Sequence, residues 1–135
     1  MHTTEIKVRG YHLDVFGHVN NARYLEFLEE ARWAMFDDKV NLEDLAREGY
    51  VFTVVNININ YRRPAFLHDR LRVETSLAEI GKRSAILRQV VKNTATGEPI
   101  ADADVTFVMV AITDQRAAAL EGRLKERIVH VLEST

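Results

Sequence analysis

The stretch Asp14-Val15-Phe16-Gly17-His18-Val19-Asn20-Asn21-Ala22-Arg23-Tyr24 decides how this chain is interpreted, because it places an acidic side chain just before a helix. Gly17 favours a turn after Asp14. Asn20 or Asn21 is a favoured helix cap, since an asparagine side chain accepts a bond from an unpaired backbone N–H. The first N–H groups of a helix are unsatisfied and carry partial positive charge. A carbonyl bound there would be polarised, and the nearby carboxylate would act as a general base on water or as a nucleophile at the acyl carbon.

Asp14 also has a purely local interpretation, which its residue type alone favours. Aspartate is common in turns, where its side chain accepts bonds from nearby backbone N–H groups. His12 and His18 flank Asp14, but their spacing matches no metal site with a physical basis. We therefore predict no metal at this stretch.

Composition is typical of a globular protein and excludes several classes of function. The 135 residues suit a single domain, and hydrophobic residues make up 47% of them. The net charge of -2 gives the whole chain no basic footprint for nucleic acid. The absence of cysteine excludes disulfides and a thiol nucleophile. No apolar run is long enough to span a bilayer, and we expect a cytoplasmic protein.

Hydrophobic periodicity predicts a strand and then a long helix. Residues 5–12 alternate as a short strand, and the helix runs from Asn20 or Asn21 to about Phe36. Its apolar residues cover so much of its surface that we expect it to be nearly enclosed, with Arg32 among the residues of a solvated edge. A short helix over residues 42–47 follows.

From Val51 onward the pattern predicts a sheet. The first strand ends before Pro64, and three more follow near residues 71–77, 84–92 and 100–113. A closing amphipathic helix begins near Gly122. Short connections favour antiparallel pairing, so we predict an α+β fold. In the first of these strands one face is expected to carry Val51, Thr53, Val55, Ile57, Ile59 and Tyr61, and the other Phe52, Val54, Asn56, Asn58 and Asn60.

The asparagines and the basic residues each leave alternatives open. The three alternating asparagines form either a solvent-facing row or a polar face in a subunit contact or ligand cleft. Lys82 and Arg83 follow Gly81 at a hairpin, and Arg63 precedes Pro64. Such residues can bind phosphates, although solvated charges at strand ends are the commoner arrangement.

Taken together, these residues resemble a known family. The pattern Asp14-x-x-Gly17-His18-Val19-Asn20-Asn21-Ala22-x-Tyr24, with helix residues 25–32, resembles the hot-dog-fold thioesterases of the 4-hydroxybenzoyl-CoA thioesterase-like branch. The stretches 8–14, 54–64 and 118–122 are similar to the bacterial long-chain acyl-CoA thioesterase III group. The resemblance covers essentially the whole chain. It implies an α+β hot-dog fold, in which an antiparallel sheet wraps around one long central helix.

The resemblance also implies an activity, the hydrolysis of medium- to long-chain fatty acyl-CoA to free fatty acid and CoA, with no cofactor. Asp14 would match the catalytic aspartate of the family, as general base or nucleophile. The backbone N–H of Asn21 would polarise the thioester carbonyl. Many relatives carry a second acid two residues before the catalytic one, where this chain has His12. Whether His12 tunes Asp14 or replaces a structural acid stays open.

Substrate binding and assembly follow from the same resemblance. Lys82 and Arg83 match basic positions that face the CoA phosphates in relatives, and we expect Arg63 and Tyr24 to contact the substrate as well. Two protomers would join their sheets edge to edge, with the sites at the dimer interface, and two dimers would form a homotetramer. The alternatives are a thioesterase acting on acyl carrier protein and a non-catalytic acyl-binding hot-dog module.

Overall fold

A computed structural model describes residues 1–39 and 42–133, in which a long helix lies against one antiparallel sheet. The strands are β1 (His2–Lys7), β2 (Tyr50–Tyr61), β3 (Arg70–Ile80), β4 (Ser84–Asn93), β5 (Pro99–Ala111) and β6 (Arg116–Ala117). The helices are α1 (Asn21–Lys39), α2 (Leu42–Arg47) and α3 (Gly122–Glu133). The sheet order is β1-β3-β4-β5-β2, with β6 beside the end of β5. Within the described part of the chain, no helix has the length and apolar character to cross a membrane.

The core lies between α1 and one face of the sheet. The most deeply buried side chains of α1 include Leu28, Ala31 and Met35. They belong to one cluster with the inward-facing strand residues Leu71, Val73, Leu87, Val91, Val105 and Phe107. The antiparallel sheet and the long helix are therefore as predicted, and the fold is the hot-dog fold.

In the single chain α1 is enclosed on one face only, so the expectation of a nearly enclosed helix is wrong for an isolated protomer. Leu25 is 39% exposed and Trp33 is 52% exposed. Arg32, expected on a solvated edge, is instead only 6% exposed. The apolar stripe of α1 is wide because it covers the core on one side and lines an open groove on the other.

A β-bulge in β2 overturns the predicted division of that strand into two faces. Val54 pairs with Phe107 and Asn56 with the next residue, Thr106, so that Val55 has no opposite residue on β5. The extra residue reverses the alternation beyond this point, because successive side chains point to opposite sides of a strand. Phe52 and Val54 consequently lie on the inner face with Ile57 and Ile59, while Asn56, Asn58 and Asn60 lie on the outer face.

The first strand also differs from its predicted bounds. It ends at Lys7 rather than near His12, and residues 10–12 form a single 3-10 turn. The backbone leaves the sheet because His12 N–H donates to the Arg9 carbonyl at 3.0 Å, within the same turn. This turn directs the chain toward the start of α1.

Candidate active site

A two-strand ladder formed by residues 12–14 and 18–20 brings Asp14 to the start of α1. Leu13 and Val19 lie opposite each other in an isolated antiparallel bridge. Asp14 N–H donates to the His18 carbonyl at 2.8 Å, and Asn20 N–H donates to the His12 carbonyl at 2.8 Å. Opposite residues share a face and adjacent residues alternate, so the side chains of residues 12, 14, 18 and 20 lie on one face of this ladder.

The carboxylate of Asp14 holds its own turn with one oxygen. Oδ1 accepts from Phe16 N–H at 2.9 Å and, at a longer 3.4 Å, from His18 N–H. Gly17 closes the turn by donating to the Asp14 carbonyl, and its φ of +79° favours glycine. No described residue donates to the second oxygen, Oδ2. The local interpretation of Asp14 and the chemical one are thus compatible, because each uses a different oxygen.

The start of α1 presents an unpaired backbone donor on this side. Asn20 is the cap: its Oδ1 accepts from Ala22 N–H at 2.9 Å, and its carbonyl accepts from Arg23 N–H. In the described part of the chain, the N–H of Asn21 has no acceptor. It therefore remains available to a ligand carbonyl oxygen, and the helix dipole favours negative charge at this point.

The histidines beside Asp14 pack as aromatic rings. His12 Nδ1 accepts from Arg9 N–H at 2.9 Å, which assigns the ring proton of the neutral form to Nε2. Its ring packs edge-on against Phe27 at 4.9 Å. Burial, followed by nearby Arg23, lowers the pKa of His12, so the ring stays neutral at neutral pH. The His18 ring packs similarly against a phenylalanine, at 5.1 Å. Among residues 1–39 and 42–133, no three His, Asp or Glu side chains cluster as metal ligands do.

Two tyrosines and Arg63 surround the helix start. Tyr24 is only 3% exposed, and burial raises its pKa to about 12. Tyr61, which the sequence placed only as a strand residue, donates its hydroxyl to the Asn21 carbonyl at 3.0 Å. It thereby ties the end of β2 to the helix start, and its place in the sequence two residues before Arg63 was the available signal. Arg63 lies at the same end, with its Nε 3.4 Å from a carboxylate oxygen of Glu98.

Lys82 and Arg83 lie at the opposite end of the sheet from Asp14 within one chain. The Asp14 loop bridges to Phe66, just before β3, whereas Lys82 follows the far end of β3. β3 has 11 residues, a length of about 35 Å. Both basic side chains are exposed, and Arg83 also donates to the Ala117 carbonyl at 3.0 Å. A single protomer therefore does not bring these residues to the carboxylate.

An apolar groove runs between α1 and the inner face of β2. Its volume is about 680 Å³. It begins at Leu25, one turn into α1, and continues to Phe36. The remaining apolar lining includes Trp33, Leu42, Phe52, Val54 and Ile57. An elongated apolar ligand attached to a group at the helix start would lie along this groove.

Arg32 is the cationic residue among the described residues that line this groove. Its Nη1 donates to Gln89 Oε1 at 3.1 Å, and Gln89 is itself fully buried. Gln89 Nε2 donates to the Leu28 carbonyl at 3.1 Å and to Thr75 Oγ1 at 3.0 Å. Burial lowers the pKa of Arg32, and nearby Glu29 opposes that shift. This network joins the middle of α1 to β3 and β4.

Comparison with known proteins identifies the family of this chain. The sequence matches the thioesterase-like superfamily over residues 8–128. It is 49% identical over 130 residues to the long-chain acyl-CoA thioesterase FadM of Escherichia coli (strain K12), an alignment that covers 96% of this chain and 98% of that protein. It is 31% identical over 108 residues to the chloroplastic acyl-acyl carrier protein thioesterase ATL2 of Arabidopsis thaliana, covering 79% of this chain and 57% of that protein.

A solved structure matches in three dimensions as well. The crystal structure of YbaW, a probable thioesterase from Escherichia coli, superposes with a TM-score of 0.93 at 48% sequence identity. The superposition covers 98% of this chain and 99% of that chain. Sequence and fold therefore agree: this chain belongs to the thioesterase-like superfamily and is a thioester hydrolase with the hot-dog fold.

Proposed function

We propose that this protein hydrolyses medium- to long-chain fatty acyl-CoA to a free fatty acid and CoA, with Asp14 and the N–H of Asn21 as its catalytic groups. The observation that carries the proposal is the short ladder, which sets the Asp14 carboxylate beside the start of α1. Among the described residues, Oδ2 of this carboxylate receives no hydrogen bond and the N–H of Asn21 has no acceptor. The 49% identity to a long-chain acyl-CoA thioesterase supports acyl-CoA as the substrate class.

The reaction needs one proton acceptor and one oxyanion donor. Asp14 Oδ2 takes a proton from water as the water oxygen bonds to the thioester carbon. The carbonyl oxygen gains negative charge, which the N–H of Asn21 and the dipole of α1 stabilise. The C–S bond then breaks, and the departing thiolate of CoA takes the proton back from Asp14. Every group in this sequence is supplied by the chain, the substrate or water.

A nucleophilic Asp14 is the alternative route to the same products. In that route Oδ2 bonds to the acyl carbon, CoA leaves as a thiolate, and water hydrolyses the resulting anhydride. Hydroxylamine separates the two routes, because it intercepts an acyl-enzyme and yields a hydroxamate. Hydroxamate formed in a single turnover, beyond the amount that hydroxylamine yields from acyl-CoA without enzyme, supports the nucleophile. No such excess at full thiol release supports the base.

The test of the assignment is Asp14→Asn, with Asp69→Asn as a matched control. Asp69 also holds a turn, since its Oδ2 accepts from Phe66 N–H at 2.9 Å, and it lies at the same end of the sheet. Asparagine keeps an oxygen for each turn but cannot serve as a base. We expect Asp14→Asn to lower kcat by about 10³-fold and Asp69→Asn to retain most activity. Near-normal thiol release by Asp14→Asn would exclude the proposed role.

The groove supports the preference for medium to long chains. From Leu25 to Phe36 helix α1 rises about 16 Å, roughly the extended length of a dozen methylene groups. A chain lying there buries its methylenes against aromatic and aliphatic side chains, and each buried methylene contributes about 0.8 kcal/mol. Thiol release measured over acyl chains of increasing length should therefore rise until the groove is filled. A flat profile would contradict this use of the groove.

We further propose that a second copy completes the site by pairing at β2. Within the described residues β2 pairs only with β5, which leaves its other edge open, and Val51 and Val55 of this strand are exposed. An antiparallel continuation of the sheet turns the second copy end for end. Its Lys82 and Arg83 would then lie at the Asp14 end of the first copy. Val51→Lys should weaken this dimer, and the homotetramer built from it, in light-scattering measurements.

Lys82 distinguishes CoA from acyl carrier protein as the acyl donor. The two share the phosphopantetheine arm, but only CoA carries the nucleotide phosphates that Lys82 would bind. We expect Lys82→Ala to raise KM for acyl-CoA and to leave an acyl-pantetheine substrate unaffected. Lys125→Ala, an exposed lysine on α3, is the control. An unchanged KM for acyl-CoA would favour the second candidate, acyl carrier protein, which the 31% identity to an acyl carrier protein thioesterase supports.

We also propose that the protein is cytoplasmic, which cell fractionation would test.

A further inference from the structure

The far end of the groove between α1 and β2, which Ala46 and Tyr50 also line, carries a pair of aromatic rings. Phe36 of α1 and Phe52 of β2 meet there with ring centroids 4.8 Å apart and ring planes at 68°. The Phe52 ring in turn packs on Phe107 at 4.6 Å. Leu42 of α2 borders the same point. The end of the groove is therefore made of side chains from a helix, a strand and the start of a second helix.

A second, much smaller space lies directly behind these rings. This cavity has a volume of about 20 Å³. Behind the rings it is lined by Leu45, Phe107, Met109, Ile128, Leu132 and the stem of Arg127. It is large enough for one water-sized group, and a cavity with so apolar a lining stays dry. Unfilled space thus lies on the far side of the wall that ends the groove.

We propose that Phe36 and Phe52 set the upper limit of the acyl chain that the enzyme accepts. The inference rests on the proposed function, because it assigns the groove to the acyl chain. Among the residues that the structure describes, Phe36, Phe52 and Leu42 border both the groove and the cavity, so they form the wall between the two spaces. A chain that fills the groove meets the rings with its methyl end, and a longer chain has to leave methylenes in water or displace a ring.

Replacing a ring with a smaller side chain should join the cavity to the groove. Leucine is shorter than phenylalanine and keeps the wall apolar, so the space gained on substitution adds to the 20 Å³ already present. Each methylene that enters the enlarged space should raise kcat/KM for that chain about fourfold. The chain length of maximal kcat/KM should therefore move upward by two or more carbons.

A substitution that reduces the space in the groove can be made at an exposed residue, where it does not threaten folding. Ala46 of α2 lines the groove and is exposed, so Ala46→Phe adds a ring to the groove without disturbing the core. It should move the optimum to shorter chains. Ile128→Val is the matched control, because it enlarges the same cavity from α3 and leaves both rings of the wall in place.

The experiment measures kcat/KM for saturated acyl-CoA substrates from eight to twenty carbons, roughly spanning the groove length. The proteins are wild type, Phe36→Leu, Phe52→Leu, Ala46→Phe and Ile128→Val, each checked for folding by circular dichroism. The proposal is supported if the optimal chain length is longer in the two ring variants, shorter in Ala46→Phe and unchanged in Ile128→Val. An unchanged profile in Ala46→Phe and in whichever ring variant folds overturns it. Wild type that releases no thiol from any substrate overturns the proposed function instead.

Discussion

Gln89→Met should destabilise the protein strongly, although it preserves the shape of the side chain. Gln89 is 0% exposed and accepts a hydrogen bond from the guanidinium of Arg32, itself 6% exposed. A bond to a charged group contributes about 1.5–3 kcal/mol, and the bond donated to Thr75 about 1 kcal/mol. Methionine supplies neither. We expect the free energy of unfolding to fall by about 3 kcal/mol.

The double variant Arg32→Met with Gln89→Met should recover much of this loss. The single change is costly because it leaves a buried cation without its partner, whereas removing both groups leaves an apolar contact. The hydrogen bond between Arg32 and Gln89 joins α1 to β4 beneath the groove, so it also holds the α1 side of the groove in position. A coupling free energy of about 2 kcal/mol or more between the two changes follows.

Urea unfolding at one fixed protein concentration measures these values, since self-association would otherwise shift the transition. Arg88→Met is the matched control: Arg88 neighbours Gln89 on β4 but is 40% exposed, and its ion pairs with Asp102 and Asp104 contribute little. The reasoning is refuted if Gln89→Met costs no more than Arg88→Met. It also fails if the double variant is as unstable as the sum of the two single changes.

Three further predictions concern the ends of the sheet and the helix start. Arg62 donates a hydrogen bond to Asp102 that lowers the pKa of this carboxyl. The stability that follows from the lowered pKa is present above about pH 4 and is lost as the pH falls through the folded-state pKa. Asp102→Asn should therefore flatten the acid limb of a profile of urea stability against pH. Gly17→Ala should cost about 1 kcal/mol of unfolding free energy, and the cost comes from its φ of +79°, since a new Cβ would meet no atom within 4 Å. Because Gly17 closes the Asp14 turn, kcat should fall as well. Asn20→Ala removes the cap of α1 and should lower the melting temperature by the equivalent of about 1 kcal/mol.

Periodicity located the long elements of this fold because each buries one continuous face. The helix from Asn21, the short helix at residues 42–47 and the three later strands lie where the pattern predicts them. Their boundaries were less accurate. The first strand ends early because residues 9–12 form hydrogen bonds within their own turn. The alternation of apolar and polar residues contains no information on such a turn.

The bulge at Val55 shows why the faces of β2 could not be predicted. A strict period of two assigned the asparagines to the same side as Phe52, but one unpaired residue reversed the alternation. A bulge is defined by pairing with another strand, here β5, and the sequence of β2 alone does not reveal its partner's register. Its consequence is functional, because the reversal places Ile57 in the groove and the asparagines on the outer face.

Lys82 and Arg83 illustrate a different limit. The hairpin that carries them was predicted, but which end of the sheet it occupies depends on strand order. That order places the hairpin at the far end of β3 from the Asp14 loop, and β3 is about 35 Å long. A site that needs both regions must then draw on two copies of the chain. The open edge of β2 is the feature that makes such an arrangement geometrically simple, since antiparallel pairing there exchanges the two ends.

Asp14 shows that a turn residue and a catalytic residue need not be competing interpretations. Its residue type favours a turn, and Oδ1 does hold one through Phe16 and His18. Those bonds also orient the carboxylate, because an oxygen tied to two backbone N–H groups leaves the other with a restricted set of directions. An aspartate free of its turn would face water in many rotamers and would be a weaker base for a substrate at Asn21. The local hydrogen bonds that argue against catalysis from sequence would therefore orient Oδ2 for the catalytic role that we propose for it.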